Sequence, residues 1–182
     1  FPLGDSSGLM IDTGCDGYSA KRRTTASIPA SPTGYLPHIA EGIGSSARNE
    51  FVCQSTDGDP FDIIVPQSAV IHGIATTPED AAKYRKDQTA LVWSPRSNID
   101  LYGNTAPVVM FDNAGVQIAL GTDWVASGSM NLSREIRCAD DLNKKYFGGH
   151  FTDKQLWQMV TTNAAFATGV SHVTGQLKAG YV

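Results

Sequence analysis

Four short stretches carry the side chains best suited to chemistry. His38 stands three positions before Glu41 in His-Ile-Ala-Glu-Gly, and His72 closes Ser-Ala-Val-Ile-His-Gly. Ser94-Pro95-Arg96-Ser97-Asn98 is a polar run, and Asp123 ends Leu-Gly-Thr-Asp. Imidazole nitrogen and carboxylate oxygen together suit a borderline or hard divalent ion such as zinc or iron(II). His38 and Asp123 are the candidate ligands. Glu41 is placed to carry protons to and from a water that such an ion activates. His72 could bind a second metal, or hold the attacking oxygen and stabilise negative charge, and both roles stay open at this point. Taken singly, each residue has an ordinary explanation. A histidine after an apolar run is often a hydrogen-bonded structural residue, and Asp123 would serve as an N-cap. The reading rests on the four stretches together, in order, each at the end of an apolar run. His150 and His172 read as plain surface residues.

The elements that must position these residues follow from the patterning. Apolar runs at 34–40, 68–71, 89–93 and 116–120 predict strands. Helices are predicted from about 44–46 to 51, after Thr77-Pro78-Glu79-Asp80, over about 106–113 before Gly115, over 130–142 and over 152–162. At the second of these, Thr77 can N-cap, Pro78 suits the first helical position, and the carboxylates favour the positive helix end. Strand and helix in alternation with short connections imply βαβ units and a parallel α/β sheet. Near-continuous apolar strands fit a sheet covered by helices. In such folds ligands and catalytic groups gather at the carboxyl ends of the strands, where the four stretches fall.

Residues 1–31 are rich in Gly, Ser, Thr and Pro, with one basic cluster at Lys21, Arg22 and Arg23, and read as a loop-rich segment. Residues 32–182 form the second region. The 182 residues carry a net charge of -4, with 41% hydrophobic and 18% charged residues. That composition is globular, and it lacks the basic excess that binding nucleic acid requires. No apolar run approaches the ~20 residues of a membrane span, and the first residues show no signal peptide. Cys15, Cys53 and Cys138 are widely spaced and odd in number, which supports neither a disulfide framework nor a cysteine zinc site. A reducing, cytoplasmic setting is therefore the expectation.

The stretches at His38–Gly42, Ile71–Gly73, Ser94–Asn98 and Leu120–Asp123 resemble successive motifs of the amidohydrolase superfamily. The branch they resemble holds cytosine and guanine deaminases, triazine hydrolases and imidazolonepropionase relatives. Thr161-Thr162-Asn163-Ala164-Ala165, Gly169 and 175–180 are similar to its closing helix and the turn after it. The resemblance implies a distorted (β/α)8 barrel, of which this chain would be the C-terminal half, strands five to eight. It implies His38 as a metal ligand, Glu41 as the proton-transfer carboxylate and His72 as the group that orients the nucleophile or oxyanion. Asp123 would bind the metal or accept a proton from the water. Arg96, Trp124 and Ser127 would line the substrate loops. The implied activity is metal-dependent hydrolysis of C–N bonds in a small molecule, as an amidohydrolase or deaminase. One zinc or iron(II) ion is expected, since no lysine lies near the fourth-strand position. The family's first-strand His-x-His, which supplies two ligands, does not occur here. The expectation is therefore an inactive half that needs the N-terminal half of the same protein as partner, with homo-oligomerisation through open sheet edges. The alternative is a non-catalytic barrel scaffold or assembly module that has lost its metal.

Overall fold

A computed structural model describes residues 10–18 and 22–182. Lys21 and the start of the loop-rich segment lie outside the described residues. Within them, a 3-10 turn at Thr25–Ser27 precedes β1 (His38–Ile39), α1 (Ser45–Val52), β2 (Ala69–His72), α2 (Pro78–Lys86) and β3 (Ala90–Trp93). Then come α3 (Pro95–Tyr102), α4 (Val108–Asn113), β4 (Ile118–Leu120), α5 (Leu132–Tyr146), α6 (Asp153–Met159) and α7 (Thr162–Ala167). The strands form one parallel sheet in the order β1-β2-β3-β4. Four parallel strands with alternating helices are the arrangement of half a (β/α)8 barrel.

The two faces of the sheet differ in kind. Val70, Leu91, Trp93, Ile118 and Leu120 share one core with Phe51 of α1, Tyr84 of α2, Phe111 of α4, Ala139 of α5 and Leu156 of α6. The opposite face presents smaller residues, Ala69, Ala90, Val92 and Ala119, and meets Ala164 and Ala167 of α7. Along β3 and β4 successive residues thus alternate between the larger core and the smaller cluster against α7.

Local signals place the starts of some helices. Thr77 and Asp80 form a capping box at α2 with Pro78 at its first position, and Thr152 and Gln155 form another at α6. Three expectations change. The first strand shrinks from 34–40 to two residues, because Pro37 has no N–H to donate and Ala40 turns left-handed at φ 54°. The pairing nevertheless extends back to an isolated bridge between Tyr35 and Ser68. The helix expected over 152–162 breaks at Val160–Thr161, and α7 begins a new direction there, with Asn163 Nδ2 donating to Ile118 O at 2.9 Å. The run from Ser94 to Asn98 enters a helix that the patterning had not announced.

The cysteine reading is overturned. Cys15 and Cys53 form a disulfide with Cα atoms 5.5 Å apart across 38 residues, and Cys138 remains free. The odd count concealed one pair and one leftover. The bond fastens the 10–18 segment to the end of α1, where Asn49 Nδ2 also donates to Ile11 O and Gly14 O. It removes the ground for expecting a reducing compartment. Among the described residues, no helix is long and apolar enough to cross a membrane.

Candidate metal and catalytic site

Three of the four strands deliver a chemically capable side chain to the same end of the sheet. Each does so through an unusual backbone. Ala40, His72 and Asp123 have φ values of 54°, 78° and 56°. Such left-handed conformations cost non-glycine residues of order 1–3 kcal/mol each and persist where the surroundings impose them. Strict alternation would set His72 with Val70 on the helix side and His38 with Leu36 on the other. The turn at His72 breaks that alternation, and the two imidazole rings meet with centroids 5.1 Å apart. Gly73 follows at φ 60°, where a Cβ would lie 2.7 Å from Leu91 Cδ1, so a side chain here would strain the backbone and displace the Leu91 tip.

The turn bearing Glu41 is held from below by α1, whose Glu50 Oε2 accepts from Ala40 N at 3.0 Å. The loop bearing Asp123 folds on itself. Ser129 N donates to Thr122 O at 3.1 Å, and a Cβ on Gly128 would fall 1.9 Å from that carbonyl.

The side chains converge. His38 Nε2 is 4.0 Å from Asp123 Oδ1, and His72 Nε2 is 3.9 Å from Asp123 Oδ2 and 3.3 Å from Glu41 Oε2. Ligand atoms of His38, His72 and Asp123 all lie within 4.8 Å of one another. His72 is fully buried, and its Nε2 has no hydrogen-bond partner of good geometry; neither has His38 Nδ1. Burial holds both imidazoles below their ordinary pKa of 6.5, while the nearby Glu41 and Asp123 charges pull in the opposite direction. They are therefore neutral at pH 7, the form with a nitrogen lone pair to give.

These residues fit a divalent ion. Two atoms each ~2 Å from a common ion are at most ~4 Å apart, and the His38–Asp123 pair meets that limit at 4.0 Å. The donor set, imidazole plus carboxylate, is the one zinc and iron(II) accept.

Glu41 is the remaining titratable group of the cluster. Its Oε1 accepts from Tyr102 OH at 2.7 Å. Burial first, and then this hydrogen bond to Glu41, raise the Tyr102 pKa well above 10, so the phenol stays a donor. His72 Nδ1 is engaged on its other side by Asn98 Nδ2 at 2.9 Å. Neither Tyr102 nor Asn98 had been assigned a role from sequence. Both lie on α3 four residues apart, hence on one helix face. The signal was present in Pro95, a good first helical residue, but the polar run around it reads equally well as a loop.

The three residues expected at the substrate loops are placed differently from one another. Trp124 is 67% exposed beside Asp123. Ser127 is buried, its Oγ 2.8 Å from Ser97 Oγ. Arg96 Nε donates to Ser129 Oγ at 2.9 Å, and Arg96 N donates to Oε1 of the buried Glu135 at 3.0 Å. These bonds tie the start of α3 to the loop after β4 and to α5. Burial raises the Glu135 pKa, against the pull of its hydrogen bonds. His150, expected at the surface, is half-buried and pairs with Asp112 at 2.7 Å.

The depressed imidazoles make a pH prediction. A histidine whose folded pKa is lowered binds its proton more readily in the unfolded chain. Stability is therefore lost as pH falls below about 6.5 toward the folded values. The thermal midpoint of the metal-free protein should drop between pH 8 and pH 5, and the drop should shrink in His72→Gln. A midpoint with equal pH dependence in both proteins would show that the His72 site is not desolvated.

Comparison with known proteins agrees with this geometry. The amidohydrolase family profile matches residues 30–182. An aminodeoxyfutalosine deaminase of Deinococcus radiodurans is 36% identical over 85 residues, 46% of this chain and 20% of that protein. A 5-methylthioadenosine/S-adenosylhomocysteine deaminase of Caldicellulosiruptor saccharolyticus is 33% identical over 113 residues, 60% of this chain and 26% of that protein. A zinc-bound adenosine deaminase from Xanthomonas campestris superposes with a TM-score of 0.69 at 19% identity, over 81% of this chain and 35% of that one. Guanine deaminase of E. coli does so with a TM-score of 0.66 at 16% identity, over 82% and 35%. The chain thus spans between a fifth and about a third of these relatives. With the profile running through β1 to α7 and across every residue of the His38–Glu41–His72–Asp123 cluster, this chain belongs to the amidohydrolase family.

Proposed function

We propose that the intact protein is a metal-dependent hydrolase of C–N bonds, acting as a deaminase on a small amine-bearing molecule. This chain would contribute strands five to eight of its barrel. The observation that carries the reading is the convergence of His38, His72 and Asp123 within 4.8 Å, with Glu41 3.3 Å from His72, at one end of a parallel sheet. The matched relatives named as deaminases favour deamination over lactam or peptide cleavage.

His38 and Asp123 would hold one zinc or iron(II) ion, with the further ligands supplied by the N-terminal half of the protein. A bound ion of this kind supplies Lewis acidity and lowers the pKa of water to near neutrality. The chain's own residues do the rest. Glu41 takes a proton at Oε2 and delivers it to the departing nitrogen, its carboxylate held in place by Tyr102. Asp123 Oδ2 accepts a hydrogen bond from the attacking water. His72, buried and facing both carboxylates, stabilises the oxygen on which negative charge develops. Trp124, on the exposed loop after β4, faces substrate. Arg96 and Ser127 shape the same loop. Left-handed φ at His72 and Asp123 speaks against a barrel kept only as scaffold, because packing alone needs neither.

The test is ammonia release by the intact protein from 5′-deoxyadenosine and 5′-methylthioadenosine, beside a panel of lactams and amides. Turnover should vanish on chelation and return with Zn²⁺ or Fe²⁺. Stoichiometric metal without turnover on any C–N substrate would sink the enzyme reading.

A further inference from the structure

Behind His72 runs a chain of polar groups, buried at Trp93 and Asn98 and half-buried at Thr105, whose polarity can be read from chemistry alone. Trp93, at the end of β3, is fully buried, and its Nε1 lies 2.7 Å from Thr105 Oγ1. Thr105 Oγ1 lies 3.3 Å from Asn98 Oδ1, and Asn98 Nδ2 lies 2.9 Å from His72 Nδ1. Asn98 and His72 are both fully buried. An indole N–H is only a donor. Thr105 therefore accepts from Trp93 and has one proton of its own to give. The acceptor in reach is Asn98 Oδ1. That sets the amide, so its NH₂ faces the imidazole, and His72 Nδ1 must accept. The opposite amide orientation would aim two N–H groups at Thr105 Oγ1 and leave its hydroxyl proton no acceptor within the chain of bonds. A ring whose Nδ1 accepts carries its proton on Nε2. This nitrogen faces Glu41 Oε2 at 3.3 Å and Asp123 Oδ2 at 3.9 Å.

We infer that the Trp93–Thr105–Asn98 chain locks His72 in the Nε2–H tautomer, and that Asn98 is thereby a positioning residue that makes His72 a hydrogen-bond donor rather than a metal ligand. The inference rests on the proposed hydrolytic site for its catalytic meaning, but the tautomer itself does not depend on activity. The polarity explains why a donor-only indole sits at the far end of the chain. A phenylalanine there would fill similar space and leave Thr105 and the amide free to reverse. It also separates the roles of two neighbouring histidines. His38, with Nε2 turned to Asp123 and no partner at Nδ1, keeps a lone pair for an ion. His72 does not.

Nitrogen NMR on ring-¹⁵N-histidine protein reads the tautomer directly. The His72 signals are identified by their loss in His72→Gln. In the metal-free protein, His72 should show a protonated Nε2 and a bare Nδ1. Asn98→Asp replaces the donor by an acceptor-only group and should reverse the pattern to Nδ1–H. It should lower kcat by ~10–100-fold, the scale of lost orienting partners behind a site, with KM little changed. Thr105→Val should produce a mixture of tautomers, and Thr105→Ser should restore the wild-type pattern. A protonated Nδ1 in the wild-type protein overturns the inference whether or not any variant folds. So does a folded Asn98→Asp protein that keeps Nε2–H. If wild-type His72 carries Nε2–H but no substrate is turned over, the proposed function fails and this inference stands.

Discussion

In the intact protein, Glu41→Gln should retain bound metal and lose turnover by ~100-fold or more, the scale of a deleted general acid–base group. The substitution is close to isosteric, and the structure shows what survives it. Oε1 accepts the Tyr102 hydroxyl at 2.7 Å, a bond a glutamine carbonyl makes as well. The other arm, 3.3 Å from His72 Nε2, becomes an amide NH₂. It can neither take a proton nor accept from His72. Structure and ion are therefore preserved while the proton path is cut. Tyr102→Phe offers the complementary case, in which the carboxylate stays and only its tether goes, so its loss should be the smaller of the two. Metal content and kcat are to be measured on the same samples, by elemental analysis and ammonia release. Normal turnover in Glu41→Gln would remove this carboxylate from the chemistry. Lost metal would make it a ligand instead.

The candidate site was legible in sequence where it depends on residue type, and illegible where it depends on direction. His38, Glu41, His72 and Asp123 stand out because each follows an apolar run, and parallel strands bring such positions together at one end. Thr77-Pro78 announced α2 through local capping alone. Nothing local announces that His72 and Asp123 turn left-handed. Asn98 and Tyr102 were hidden for a related reason. Their helix is only 8 residues long, with exposed Ile99 and Leu101 between buried and polar positions, so its periodicity is faint. The Cys15–Cys53 bond is a contact across 38 residues, and cysteine spacing carries no information on which distant pair meets. The break before α7 likewise comes from tertiary docking, as Asn163 bonds the edge strand β4.

The role of His72 bears on the largest effect expected of this chain, its weak hold on metal by itself. A catalytic zinc ordinarily has three protein ligands and an open position. Among the described residues, the cluster that could hold an ion consists of His38, His72 and Asp123. If His72 Nε2 carries a proton, two ligands remain. Two ligands on a partly exposed face, with His38 at 31% side-chain exposure, lack both the coordination number and the dry cavity that hold an ion tightly. The 182-residue chain alone should therefore bind Zn²⁺ with a Kd weaker than about 1 μM, less than ~8 kcal/mol of binding free energy, and should show no deaminase turnover. Competition against a chromophoric chelator measures the first and ammonia release the second. The intact protein should bind far more tightly, because ligands from its N-terminal half complete the shell. Two variants then sort the ligand set. His38→Ala should abolish what binding the chain retains, whereas Asn98→Asp, by freeing the His72 Nε2 lone pair, should strengthen it. Tight, stoichiometric zinc on the wild-type chain alone would mean that His72 already serves as a third ligand, and the division of labour between the two histidines would fall.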